Sequence, residues 1–543
     1  MKVWGNGKSS KSFCVLRCLI GSRLANTSPT KGFQVKTIFQ RWLDKCKKRI
    51  RRRLDKTRDT LTFQPVLTAS NIHYEVSDKT HAIACGGIGV FHTLAQRVGL
   101  IQTIDQRLQL FKFHMPYHES DHVLGIAYNA LCGGTCLQDI ELRRNDEAFL
   151  DALGARRIPD PTTAADFCRR FTRERVETLI DAINETRLRV WAEQPDAFFD
   201  CAIVDMDGTL TETTGRCKQG MDISYKGVWG YHPLVVSLAN TGEVLSIVNR
   251  SGNRPSHEDA AREVERSLLL CLRAGFRKVL LRGDTDFSQT EHLDGWNALG
   301  RVRFIFGYDA KPKVVQLAEN LPASAWRRLE RPARYAVRTQ PRQRPVNVKD
   351  RIVRERGFET LRLNSEEVAE FEYQPLKCKH KYRLVVVRKN ITKEKGEQAL
   401  LDEIRYFFYI TNERDWSASE VVFSANDRCN QENLIAQLKG GVHALHSPLA
   451  TLESNWAYMV MTALAWNLKA WWALSLPEAP GRWQTRHSEE KRWVLGLEFR
   501  TFLNAFVLLP CQILKTGRKL VYRLLGWNPH MSILFRLIGK LNC

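Results

Sequence analysis

Apolar positions recur at helical spacing through residues 66–195, as in GIGVFHTLAQRVGLIQTIDQRL, so this stretch is expected to be helical. Near residue 160, Asp160, Pro161, Thr162 and Thr163 form a helix start, and Arg169, Arg170 and Arg173 are expected to line part of that helix. From Phe199 the pattern changes. AIVDMD reads as a strand, and Leu234–Leu238 and Val244–Val248 read as two more, joined across Asn240-Thr241-Gly242. PSHEDAAREVERSLLLCLRAG reads as a helix, with Ser256 as its cap, Asp259 three residues on, and Gly275 closing it. KVLLRGD then gives a strand, SQTEHLDGWNALG a helix and VRFIFGYD a strand.

This order suits an α/β fold: a ribonuclease H-like mixed sheet covered by helices. Residues 311–405 break the rhythm. They are rich in Arg, Lys and Pro, with strand-like pieces RYAVRTQ, TLRLN and YRLVVVRKN, and predict a basic β-rich insertion. YFFYITN (Tyr406–Asn412) resumes an apolar strand, followed by helical regions at about 427–475 and 490–525. The expected divisions are a basic extension 1–65, a helical region 66–195, a core in two parts (196–310 and 406–475) separated by the insertion 311–405, and a C-terminal helical region 476–543.

Charge narrows the partners. The 543 residues carry 82 Lys+Arg against 59 Asp+Glu, a net charge of +23, which points to a polyanion. Lys45–Lys56, KCKKRIRRRLDK, is a dense cationic run suited to phosphates or to plain solvation. The arginine-bearing helix after Asp160 fits a DNA-binding module and an ordinary amphipathic bundle equally well. The 14 cysteines include no C-x-x-C pair, which fits reduced thiols in a cytosolic compartment. The most apolar long segment, Trp456–Leu476, contains Asn467 and Lys469, so it is expected to be a buried helix rather than a membrane span.

Three acidic spots carry the candidate chemistry. Asp205 and Asp207 in VDMDGT fall on the same side of their strand. Such a pair opens a phosphatase of the haloacid dehalogenase type, or carries a metal-binding carboxylate into a nuclease site. Asp284 in VLLRGDTDF directly follows an apolar strand, where open sheets bind ligands. The spacing after that Gly-Asp departs from the phosphatase pattern. In NDRCNQENLIAQLKGG, Arg428, Glu432 and Lys439 fall on one helical face.

With these residues the chain resembles a DDE transposase of the bacterial insertion-sequence type, whose helix signature is Tyr, two residues, Arg, three residues, Glu, six residues, Lys. Arg428, Glu432 and Lys439 match its last three terms, while Ala425 stands at the tyrosine position. The resemblance implies Asp207, Asp284 and Glu432 as catalytic, metal-holding acids, with Asp205 as the fallback for the first. It implies two Mg²⁺ ions, replaceable by Mn²⁺. Arg428 and Lys439 would hold DNA phosphates. The implied partner is double-stranded DNA, as terminal inverted repeats and target, bridged by a homodimer. A cytoplasmic, nucleoid-associated bacterial protein without membrane contact is expected. A phosphatase and an inactive DNA-binding relative remain the alternatives.

Overall fold

The computed structural model describes residues 41–55 (except 42 and 54), 72–331 and 351–541, apart from 75–79, 114–115, 216, 353–354, 358, 396–397 and 518. The expected strand RYAVRTQ lies outside these residues. Nine strands form the central sheet: β1 (Cys201–Gly208), β2 (Leu234–Leu238), β3 (Glu243–Val248), β4 (Lys278–Gly283), β5 (Val302–Tyr308), β6 (Arg327–Arg328), β7 (Glu359–Tyr373), β8 (Tyr382–Lys395) and β9 (Gln398–Thr411). Their order is β6-β7-β8-β9-β5-β4-β1-β2-β3. β1, β4 and β5 run parallel and β2 and β3 antiparallel, which is the ribonuclease H-like arrangement. β2 and β4 are buried along nearly their whole length, so they read as continuous apolar runs.

The β-rich insertion is joined to this sheet. β9 pairs antiparallel with β5, Phe408 opposite Tyr308, so β7, β8 and β9 extend the core as a long ribbon. β9 runs unbroken through residue 405, and a helix, Pro312–Glu319, precedes the ribbon.

Five helices matter for the site and its support: α1 (Arg173–Ala192), α2 (Ala260–Ala274), α3 (Ala418–Asp427), α4 (Cys429–Ala436) and α5 (Leu452–Leu474). The arginine-bearing segment is two helices, Pro161–Arg169 and α1. The Asp160 side chain caps the first by accepting from Thr163 N at 2.9 Å, and Thr172 caps the second. Arg169, Arg170 and Arg173 therefore do not line one face. Each has a partner within the chain: Asp166 for Arg169, the Phe111 ring for Arg170, and Glu177 with Asp259 for Arg173. α2 begins at Ala260, past the expected Ser256 cap, because Asp259 takes a left-handed φ of 61° and turns its carboxylate to Arg173. Gly275 closes α2 as expected, at φ 103°.

α5 is the buried apolar helix, and it seals the edge of the sheet. An edge strand leaves backbone groups unpaired. Along β3, Asn467 accepts from Val244 N at 2.8 Å and donates to Val244 O at 3.0 Å, and Trp466 Nε1 donates to Gly242 O at 2.6 Å. Trp456 Nε1 donates to Ile247 O, and from α1 Asn184 donates to Leu245 O at 3.2 Å. Glu243, fully buried, accepts from Arg187, Trp471, Trp191 and Thr241, tying α1 and α5 to β3. Lys469 donates to Leu495 O and lies 4.0 Å above the Trp466 ring; burial pushes its ammonium down to about 7. Among the described residues, no helix is long and apolar enough to cross a membrane.

The C-terminal region has helices at Gln484–Gly496 and Met531–Leu541, as expected, but departs from the helical expectation between them. Cys511–Thr516 and Lys519–Leu524 form a hairpin, and Cys511–Thr516 also pairs with Ala82–Ile83. Tyr522 Oη donates to Ala152 O at 2.5 Å, so the C-terminal hairpin packs on the N-terminal helices. None of the described cysteines forms a disulfide.

Candidate functional site

Parallel pairing of β1 with β4 sets the first part of the site. Asp205 lies opposite Arg282; two residues on come Asp207, still in β1, and Asp284, the first residue after β4. Neighbouring strands are about 4.8 Å apart, so the two acids leave the sheet side by side. The Asp284 carboxylate also accepts from Asp286 N at 3.0 Å, which fixes the turn after β4.

The two aspartates of β1 have different surroundings. Asp205 is 1% exposed and holds Arg282 through two bonds, Nε to Oδ1 at 2.7 Å and Nη2 to Oδ2 at 2.8 Å. Arg282 also donates to Ser424 O at 2.8 Å, anchoring the end of α3 to the sheet. A carboxylate held in this way is not free to attack a phosphorus atom, and the phosphatase reading required Asp205 to do so. Asp207 is more open, its side chain 17% exposed and its Oδ2 at 3.3 Å from Arg428 Nη1. Gly208 beside it has no room for a side chain, since a Cβ would stand 2.8 Å from His232 Nε2.

Arg428 sits at the junction of α3 and α4, and Glu432 lies in the first turn of α4. Gln431, buried at 2%, hooks this turn onto β2: its amide donates to Val235 O at 3.1 Å and accepts from Ser237 Oγ. Val235 is the cross-strand partner of Asp207, so Gln431 brings Glu432 toward that acid. The helix does not stay regular to Lys439. Residues Gln437–Gly441 form a π-helical turn, and the Lys439 ammonium donates to Leu210 O at 2.7 Å, in the segment that leaves Asp207.

The electrostatics agree with this placement. Burial pushes Asp207 up to about 6; the Arg428 guanidinium opposes the shift, and Asp284 and Glu432 add to it. Asp284 is also raised by burial, with Arg428 opposing and Asp286 and Glu432 adding. Asp207, Asp284, Glu432 and Arg428 thus form one interacting group. Beside it opens a crevice of about 390 Å³, lined by Asp284, Arg428, Tyr409, Phe407, Asn426 and Ala425 among others. The buried Nδ2 of Asn426 has no partner among the described residues.

One other group has tighter metal-ligand geometry. Among the described residues, the three whose ligand atoms all lie within 4.8 Å of one another are Asp105, His118 and Glu119, at a helix start in the N-terminal region. Their oxygens also serve the fold: Asp105 accepts from Ser120, and Glu119 accepts from Leu110 N and Phe111 N.

Residues 72–487 match the profile of the family described as transposase DDE domain group 1. The chain belongs to the DDE transposase family. It is therefore a transposase, an enzyme that cuts and joins DNA. No curated protein matches it. Among solved structures, a chain of the piggyBac transposase synaptic complex with hairpin DNA, determined by cryo-electron microscopy, is similar at a TM-score of 0.33 and 10% identity, covering 79% of this chain and 83% of that one.

Proposed function

We propose that Asp207, Asp284 and Glu432 are the catalytic and cation-holding acids of this transposase. What supports the reading is that Asp207 and Asp284 follow the paired strands β1 and β4, and that Glu432, in the first turn of α4, adds to the upward shift of both. Two of the three are raised by burial, with the Arg428 guanidinium opposing the shift in both. Hard carboxylate oxygens short of positive charge suit Mg²⁺, or Mn²⁺ in its place. Bound there, such cations supply water activation and charge neutralisation at the phosphorus.

The chain's own groups orient the DNA. Arg428 is the nearest cation to a phosphate entering the crevice. Lys439 holds the segment leaving Asp207 through one ammonium proton and keeps two for a phosphate. In this reading cleavage at an element's end frees a 3′-hydroxyl, which then attacks target DNA in line. The basic ribbon and the helical region 66–195 grip the inverted repeats, two copies bridge two ends, and the work is done at the bacterial nucleoid.

The test is an incubation with Mg²⁺ or Mn²⁺, a labelled element end and a target plasmid. Joined product is expected from the wild type and none from Asp207→Asn, Asp284→Asn or Glu432→Gln, each still binding DNA within a few-fold. Full cleavage by any one of these variants removes that residue from the site.

A further inference from the structure

Asp207 and Gly208 are neighbours on β1 and so face opposite sides of the sheet. Against Gly208, on its side, lie two buried polar residues, His232 and Arg250, each 4% exposed. They extend the β2–β3 ladder beyond the Leu234–Val248 pair. His232 N donates to Arg250 O at 2.8 Å, and Arg250 Nε donates back to His232 O at 2.9 Å.

His232 has little freedom to yield. Arg250 pins its backbone at both N and O, and its ring Nδ1 bonds Arg254 O at 2.9 Å. A carbonyl only accepts, so Nδ1 carries a proton. The other ring nitrogen, Nε2, is the atom that meets Gly208: a Cβ there would stand 2.8 Å from it and 3.4 Å from Arg250 Nη2.

Arg250 braces more than His232. Among the described residues its hydrogen bonds go to carbonyls and none to a carboxylate. Besides His232 O, Nη1 donates to Pro255 O at 3.3 Å, Ser256 O at 2.9 Å and Glu258 O at 2.6 Å, which gathers the loop 249–259 that leads into α2. Its Nη2 is buried and has no partner among the described residues. A buried cation without an acid is costly to hold, which calls for a role besides packing. The same loop reaches the second acid. Gln289 Nε2 donates to His257 O at 3.0 Å, and Gln289 directly follows the turn that Asp284 opens. One loop therefore ties the strand end beside Asp207 to the turn after Asp284, from the far side of the sheet.

We propose that His232, braced by Arg250, is a positioning residue of this transposase: it is the stop against which the end of β1 is set, and through the Gly208 backbone it holds Asp207 in place relative to Asp284. Groups that orient cation-holding acids without binding the cation typically change its affinity by about 10–100-fold when removed. The proposal rests on Asp207 and Asp284 being acids that hold the cation.

The experiment is a size-swap cycle on the full-length protein, with Mn²⁺ affinity read by calorimetry and the melting midpoint read in chelator. Gly208→Ala drives a methyl against the ring, and His232→Ala removes the stop. Each is expected to weaken Mn²⁺ about tenfold or more. In the double variant the new methyl has room, so affinity should return to within about threefold of the wild type, a coupling that independent sites do not show. A Gly208→Ala or His232→Ala variant with wild-type affinity and only a lowered midpoint makes the contact a folding one and overturns the proposal. So does a double variant that binds no tighter than Gly208→Ala. The control is Asp207→Asn, which should lose Mn²⁺ binding. Wild-type affinity in that variant overturns both the stop and the acid it is meant to hold.

Discussion

Replacing Asp207 by Asn tests the electrostatics of the site without relying on activity. Asp207 titrates at about 6 in the folded protein, because it is buried. In the unfolded chain an aspartate titrates near 3.9. Between those two values the folded state holds a proton that the unfolded state has lost. Stability therefore falls as pH rises from about 4 to about 6, and the full cost remains above that. Two units correspond to roughly 3 kcal/mol. Asparagine keeps the shape and mimics the protonated acid. Asp207→Asn should thus be the more stable protein by roughly 3 kcal/mol at pH 7 in chelator, with the gain shrinking toward zero near pH 4. Urea titration at the two pH values measures it. Adding Mn²⁺ should stabilise the wild type at pH 7 and the variant far less. A variant no more stable than the wild type at pH 7 refutes the reasoning, because Asp207 would then not be a carboxylate held short of counter-charge.

Four further outcomes follow from the same structure. Mn²⁺ affinity, read by isothermal calorimetry, should drop as pH falls through about 6, where Asp207 takes up a proton; an affinity flat from pH 5 to pH 7 contradicts this. Asp205→Ala should behave as a folding mutant, losing about 3–5 kcal/mol by leaving Arg282 buried without its acid, and thermal melts with and without Mn²⁺ should shift together. Glu243→Ala should cost a similar amount by stranding Arg187 and should reduce soluble yield; a wild-type melting midpoint would argue against the hub. Gln431→Ala should weaken cleavage and Mn²⁺ binding more than stability, since its two bonds aim α4 at Asp207, and equal loss in all three would make it a packing residue.

Local pattern carried much of the core. β1, the β2–β3 hairpin with Gly242 in its turn, β4 with its trailing Gly-Asp, and β5 could be read because their apolar runs end at recognisable turn residues. What escaped was long-range. Which of Asp205 and Asp207 is tied up in a buried ion pair depends on Arg282, 77 residues from Asp205, and nothing near β1 encodes that choice. Gln431 looked like an unremarked neighbour of Glu432; its role depends on where β2 lies. Union of the insertion with the core rests on β9 meeting β5 across about a hundred residues. The π turn that carries Lys439 was not legible in the regular helical spacing. The hairpin at 511–524 had a local signal, strand-like residues on either side of Thr516-Gly517, which the helical expectation for that region passed over.

The sealed edge at β3 bears on damaged copies of this gene. A product truncated before Leu452 would lack Asn467, Trp466 and Trp456, and β3 would offer bare amides and carbonyls to any passing strand. Such fragments should self-associate and precipitate instead of lingering as soluble competitors for element ends, so a premature stop codon would silence its own product without poisoning the intact enzyme.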